Sequence, residues 1–189
     1  MLPNIITEAL RRHINVAERL SAILADIEGA AEVLLEVAKG SGKLLVCGNG
    51  GSAADAEHLA GEWVCRYKDD RIPLPAISLV NTPPLTAIGN DYGFEHIFSR
   101  QVRALGVSGD VLVAITTSGK SPNILRAIEE AKKRGLRVIA LTGAKGRDLE
   151  KICDVAVVVP SDETARIQEM HELIYHAWCE YVDAGLTND

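Results

Sequence analysis

The chain is short of aromatic rings and of positive charge. Phe, Trp and Tyr make up 4% of its 189 residues, and 20 Lys and Arg against 26 Asp and Glu leave a formal charge of −6. A nucleic-acid reader needs a basic footprint and flat rings for stacking, so both shortages count against that class. Long apolar runs are missing as well: "VLVAI" and "VIAL" fall far below the roughly 20 residues of a membrane-spanning helix. The N-terminal stretch "MLPNIITEALRRHINVAERL" is amphipathic and lacks the apolar centre of a signal peptide, which points to a cytoplasmic protein with no membrane partner. There is no C-x-x-C. Cys47, Cys65, Cys153 and Cys179 stand far apart, which argues against a disulfide framework or thiolate cage and for buried free thiols.

What is present suits one packed domain. The apolar fraction is 47% and mean hydropathy is +0.08. No low-complexity stretch or charge block divides residues 1–189, so a single domain is expected. With an acidic chain, an anionic ligand would have to be drawn by local backbone N–H groups and helix N-termini, which directs attention to loops that open helices.

Residues 4–39 return apolar side chains at helical spacing (Ile6, Leu10, Ile14, Ala17, Leu20, Leu24, Ile27, Val33, Leu34, Val37), predicting one or two long helices that end near Gly40. Five β-rich runs follow at 43–48, 74–80, 110–116, 136–142 and 153–159, mostly continuous rather than alternating, as strands buried on both faces are. Helical patterns lie between them at 53–66, 94–104 and 122–134, and 163–184 closes the chain. The expected fold class is α/β: a three-layer αβα sandwich on a five-stranded parallel sheet of flavodoxin-like order 2-1-3-4-5, with long N- and C-terminal helices. Residues 1–40 are expected to pack on the sheet and in an oligomer.

Two loops open helices after strands that this order makes neighbours. The first, "GNGGSAADAEHLAGEW", is neither a dinucleotide fingerprint nor a P-loop, and offers Ser52 as an N-cap. The second, "TTSGKSPN", gathers Thr116, Thr117, Ser118 and Ser121 about a glycine, with Pro122 suited to a first helical turn. Hydroxyls and N–H groups there could wrap a phosphate; ordinary turn and capping chemistry is the alternative. In the doubly wound order both loops face one crevice at the carboxyl ends of the strands. Near the C-terminus "HELIYH" resembles the metal-binding H-E-x-x-H, but its histidines are five apart. His171 and His176 therefore sit about 140° apart around a helix and cannot easily share a metal.

The quoted loops, together with "RYKDDRIPLPAI", "IGNDYGF", "GDVLVAITTSGKSPN", "ALTG" and "ARIQEMHELIYH", resemble the sugar isomerase (SIS) domain family over essentially the whole chain. The resemblance implies an aldose–ketose isomerase acting on sedoheptulose 7-phosphate. By it, Thr116, Thr117, Ser118 and Ser121 hold the sugar phosphate, and Asn49, Gly50, Gly51, Ser52, Asn90, Asp91 and Gln168 contact the rest of the substrate. It further implies Glu62 as the base at carbon, His176 as the proton shuttle at oxygen, and a zinc ion on His58, Glu62, Gln168 and His176. His171 and Glu172 are then bystanders or lie behind the ligands. Whether the metal is catalytic or organises the site stays open, because a carboxylate bound to zinc is a poorer base. Lys120 is read as a solvated lysine, an added phosphate contact being the alternative. A non-enzymatic relative, similar to a factor that associates with the bacterial replication initiator, is the competing function; His176, His58 and Glu62 favour the enzyme. The long terminal helices carry more apolar surface than one sheet covers, including Ile167, Met170, Leu173, Ile174, Ala177, Trp178 and Tyr181, so a homotetramer with shared sites is expected.

Overall fold

The computed structural model describes residues 4–187. Its strands are β1 (Leu44–Gly48), β2 (Ala76–Ser78), β3 (Val111–Thr116), β4 (Arg137–Gly143) and β5 (Val155–Val159), all parallel, in the order β2-β1-β3-β4-β5. Every residue of β1 and β3 is buried. Successive side chains on a strand point to opposite faces, so Leu44 and Val46 enter one core while Leu45 and Cys47 enter the other. This two-sided burial is why the strands read as unbroken apolar runs.

On one face lie α1 (Ile5–Arg19), α2 (Leu24–Lys39), α3 (Gly51–Val64) and α7 (Thr164–Thr187). The other carries α4 (Thr82–Tyr92), α5 (Ser99–Leu105) and α6 (Pro122–Lys133). Several expectations need correction. The β2 strand has only three residues instead of the run 74–80. The α4 helix was not anticipated: its prolines look like a turn but sit in the first helical turn, where a missing N–H costs nothing. Cys65 is exposed rather than buried, while all four cysteines are free. On α1 the apolar Ile6, Leu10 and Ile14 stand 76%, 59% and 55% exposed, a face left open for the expected assembly. The α1 helix lies outside the sheet and is tied to α7 by polar contacts: Arg166 donates to the Ala9 carbonyl at 2.8 Å, and His13 Nδ1 stands 2.8 Å from Glu169. Among the described residues no helix is long and apolar enough to cross a membrane.

One buried ion pair fixes α3 against α7. Arg71 Nε donates to Asp183 at 2.6 Å, with both side chains under a tenth exposed. The same guanidinium donates to the carbonyls of Glu62 and Trp63 at 2.9 Å each, closing the C-terminal end of α3 with a cation. Trp63 and Trp178 fill the space behind. The helix end that carries Glu62 is thereby held to the helix that carries His176.

Candidate active site

Because β1 and β3 are neighbours, the loops that follow them meet at the carboxyl edge of the sheet. Asn49 and Asn123 join them through a reciprocal amide pair: Asn49 Nδ2 donates to Asn123 Oδ1 at 2.9 Å, and Asn123 Nδ2 donates back at 2.8 Å. Asn123 is buried and also accepts from the Ile124 N–H at 2.9 Å. Sequence reasoning missed Asn123, and it shows that the Asn49 amide is committed to the neighbouring loop.

Ser52 does not cap α3. The N-cap is Gly50, whose φ of +59° suits glycine, and the helix has already begun at Gly51, leaving Ser52 buried inside its first turn. At Gly51 the constraint is space: a Cβ there would lie 2.3 Å from the Gln168 amide nitrogen. Glycine thus lets α7 approach the loop, with Gln168 lying against it.

The second loop packs its hydroxyls on its own backbone. Thr116 Oγ1 accepts from the Gly119 N–H and Ser118 Oγ from the Lys120 N–H, both at 3.2 Å. Lys120 is exposed. Ser121, Asn49 and Asn123 border a shallow cavity of about 340 Å³ whose wall is completed by Phe94, Glu95 and Pro122. Asn90 and Asp91 do not line it. They sit exposed at the end of α4, with Asn90 Nδ2 donating to Asp91 Oδ1 at 2.8 Å.

Across the crevice, α3 and α7 converge on His58. Its Nε2 is 3.1 Å from Glu62 Oε1, and its Nδ1 is 3.0 Å from the Tyr175 hydroxyl. The His58 and His176 rings meet edge to face with centroids 5.0 Å apart. Glu172, set aside as a bystander, comes within 3.9 Å of His58 Nδ1. Donor atoms of His58, Glu172 and His176 lie within 4.8 Å of one another, the one such group among the described residues. Asp55 completes the surroundings: burial pushes its carboxyl up to about 6, repulsion from Glu172 adds to this, and a hydrogen bond from Gln168 and the His58 charge oppose it. Burial, then the charges of Asp55 and Glu172, raise the Tyr175 hydroxyl above its ordinary value. Of the four ligands implied by resemblance, Glu62 and His176 each adjoin His58, whereas Gln168 faces Gly51 and Asp55.

His171 turns into the interior and is fully buried. Neither ring nitrogen makes a well-formed hydrogen bond, and burial lowers its pKa to about 4, with the Thr142 backbone giving weak support. The periodicity of α7 carried a further signal: residues 168, 172 and 176 are spaced by four and form one stripe. Asp55 likewise precedes His58 by three on α3.

The SIS domain family matches residues 10–143. Phosphoheptose isomerase from Campylobacter jejuni is 50% identical over 183 residues, covering 96% of this chain and 98% of the relative. The solved phosphoheptose isomerase from Neisseria gonorrhoeae is 44% identical, with a TM-score of 0.91 over 97% of this chain and 100% of that one. The structure from Francisella tularensis is 40% identical, also with a TM-score of 0.91, over 96% and 97%.

Proposed function

The chain belongs to the SIS-domain family, among the phosphoheptose isomerases, and on that premise we propose that it converts sedoheptulose 7-phosphate to D-glycero-D-manno-heptose 7-phosphate. The observation that carries the reading is the meeting of His58, Glu62 and His176 beside two joined loops at the sheet's carboxyl edge.

The reaction moves a proton between adjacent carbons while carbonyl and hydroxyl exchange places through an enediol. Glu62 removes the proton from the first carbon and returns it to the second. His176 passes a proton from the first oxygen to the second, so that charge balances at each stage. Ser118, Ser121, Thr116 and Thr117 hold the phosphate; short hydroxyls and the start of α6 suit an anion that the net charge of −6 would otherwise repel. Gly50, Gly51 and Gln168 border the polyol, and the resemblance adds Asn90 and Asp91 as further polyol contacts.

A divalent cation fits the cluster. The donor atoms that lie within 4.8 Å of one another are those of His58, Glu172 and His176; imidazole and carboxylate donors without thiolate suit zinc, for which the resemblance implies His58, Glu62, Gln168 and His176 as holders. When bound, the ion supplies Lewis-acid polarisation of the carbonyl.

The protein is cytoplasmic and works as a homotetramer, its product feeding nucleotide-activated heptose for glycoconjugates such as lipopolysaccharide. The exposed Ile6, Leu10 and Ile14 on α1 support the assembly. Because Glu62 and His176 both adjoin His58 within one chain, mixed, unfolded and reassembled Glu62→Gln and His176→Asn chains should not rescue each other, and rescue would place the two residues of a working site on different subunits. The activity is tested by incubating protein and ketose phosphate in deuterated water and following aldose formation and label at the second carbon. Failure to form aldose with any added divalent metal overturns the reading.

A further inference from the structure

The α1 helix has two unlike faces. At about 100° per residue, Ile6, Leu10 and Ile14 fall within about 80° of arc, while Arg12, Asn15 and Arg19 lie on the opposite side. That second side closes over the carboxyl ends of β4 and β5, where the Ala144 N–H donates to the Ser161 carbonyl at 3.0 Å. Between them runs a cleft of about 670 Å³, in the size range of small-molecule sites. An assembly built on the isoleucine face does not by itself cover it.

The cleft is cationic although the chain is acidic. Arg11, Arg12, Arg19 and Arg147 line it against Asp162 and Glu163, four guanidiniums to two carboxylates, whereas the whole chain has 20 basic and 26 acidic residues. Three of the arginines have carboxylate partners: Glu8 for Arg11 at 2.8 Å, Glu150 for Arg147 at 3.0 Å and Glu163 for Arg12 at 3.1 Å. Every side chain in these pairs is more than two-fifths exposed, and ion pairs so exposed hold their members weakly. Arg19 forms no ion pair among the described residues.

A guanidinium presents its donors as a planar fork that grips two oxygens of one phosphate, so forks around one cleft can serve more than one phosphate. None of the lining residues is aromatic, which leaves a planar base nothing to stack on and makes charge the basis of recognition. We infer that this cleft binds a small molecule carrying two phosphate groups, with Arg19 gripping one of them. No residue assigned to the sugar phosphate lines the cleft, so the site is separate from the crevice between the loops and does not depend on the isomerase reading.

Calorimetric titration of the full chain with inorganic pyrophosphate, set against inorganic phosphate, tests the site. Pyrophosphate should bind at least about tenfold more tightly than phosphate, and Arg19→Ala and Arg147→Ala should each weaken it about tenfold, the scale of one hydrogen-bonded contact to a charged group. All four arginines are exposed, so these changes leave the fold intact. Arg19→Lys, which keeps the charge and loses the fork, should fall between Arg19→Ala and the unaltered chain. The double change Ser118→Ala, Ser121→Ala should leave pyrophosphate affinity unchanged, because those hydroxyls belong to the other loop. ADP and fructose 1,6-bisphosphate distinguish two sources of the same chemistry, phosphates joined to each other and phosphates set apart on a sugar. The tighter of the two, losing affinity likewise in Arg19→Ala, identifies the class. Equal affinity for phosphate and pyrophosphate overturns the inference. So does pyrophosphate binding that survives both arginine changes, or that disappears in the serine double change.

Discussion

Along α3 and α7 the side chains facing the crevice are long, ionisable and engaged with one another, whereas the β3–α6 loop opposite offers short hydroxyls and backbone N–H groups. The first wall is braced from behind by Arg71, Asp183 and two buried tryptophans. The second is braced by Asn123, which ties it to the glycine loop. The contrast teaches a division of labour. Proton transfer demands fixed relative positions of acid, base and carbon, and so needs a wall held by packing. Phosphate holding demands many modest donors, and a loop at a helix start supplies them.

The sharpest way to break this comparison is to disable the first wall chemically while leaving its shape. Glu62→Gln should lower kcat about a thousandfold or more, the upper range for removing a general base, with little change in KM. His176→Asn should behave similarly. Loss of substrate binding with kcat intact would place these residues in the wrong wall.

Removing the brace comes next. Arg71→Ala leaves Asp183 without its guanidinium and uncovers the last carbonyls of α3, and should destabilise the chain by about 3–5 kcal/mol in urea titration. A change below about 1 kcal/mol would show that α3 and α7 hold together without it.

A third test uses His171, which shares "HELIYH" with His176 but faces the core. Its folded pKa, near 4, lies below its ordinary 6.5. Between those values the unfolded chain binds a proton that the folded chain refuses, so stability falls as pH drops through that window and levels off below about 4. The full effect is at most about 3.4 kcal/mol. His171→Asn should flatten that slope in melts at pH 4 to 7 while leaving most turnover at pH 7. Equal inactivity of His171→Asn and His176→Asn would contradict the separation of the two histidines.

The strands, their order and both loops were legible because residues buried on both faces leave continuous apolar runs and because glycine and hydroxyl clusters end them. The α4 helix was not, since it buries no residue of its own and carries no apolar stripe to betray it. Ser52 was misplaced because its capping chemistry is right but Gly50, with its positive φ, turns the chain one step earlier. Glu172, read as a bystander or a group behind the ligands, comes within 3.9 Å of His58 Nδ1 because it lies four residues from both Gln168 and His176 on α7. The apolar face of α1 was legible from its spacing, and Ile6, Leu10 and Ile14 are left exposed on it.

The smallest expected effects belong to the second wall. Ser118→Ala and Ser121→Ala should each weaken substrate binding by about 1 kcal/mol, roughly fivefold in KM. Inhibition by simple phosphorylated sugars should weaken with them, and equal weakening for unphosphorylated sugars would assign these hydroxyls another task.

The most direct test of the two-wall account is to measure kcat and KM for sedoheptulose 7-phosphate in Glu62→Gln and in the double change Ser118→Ala, Ser121→Ala, side by side. The account predicts that the first loses kcat at nearly constant KM and the second raises KM at nearly constant kcat. Parallel loss of kcat in both, with KM unchanged, would contradict it.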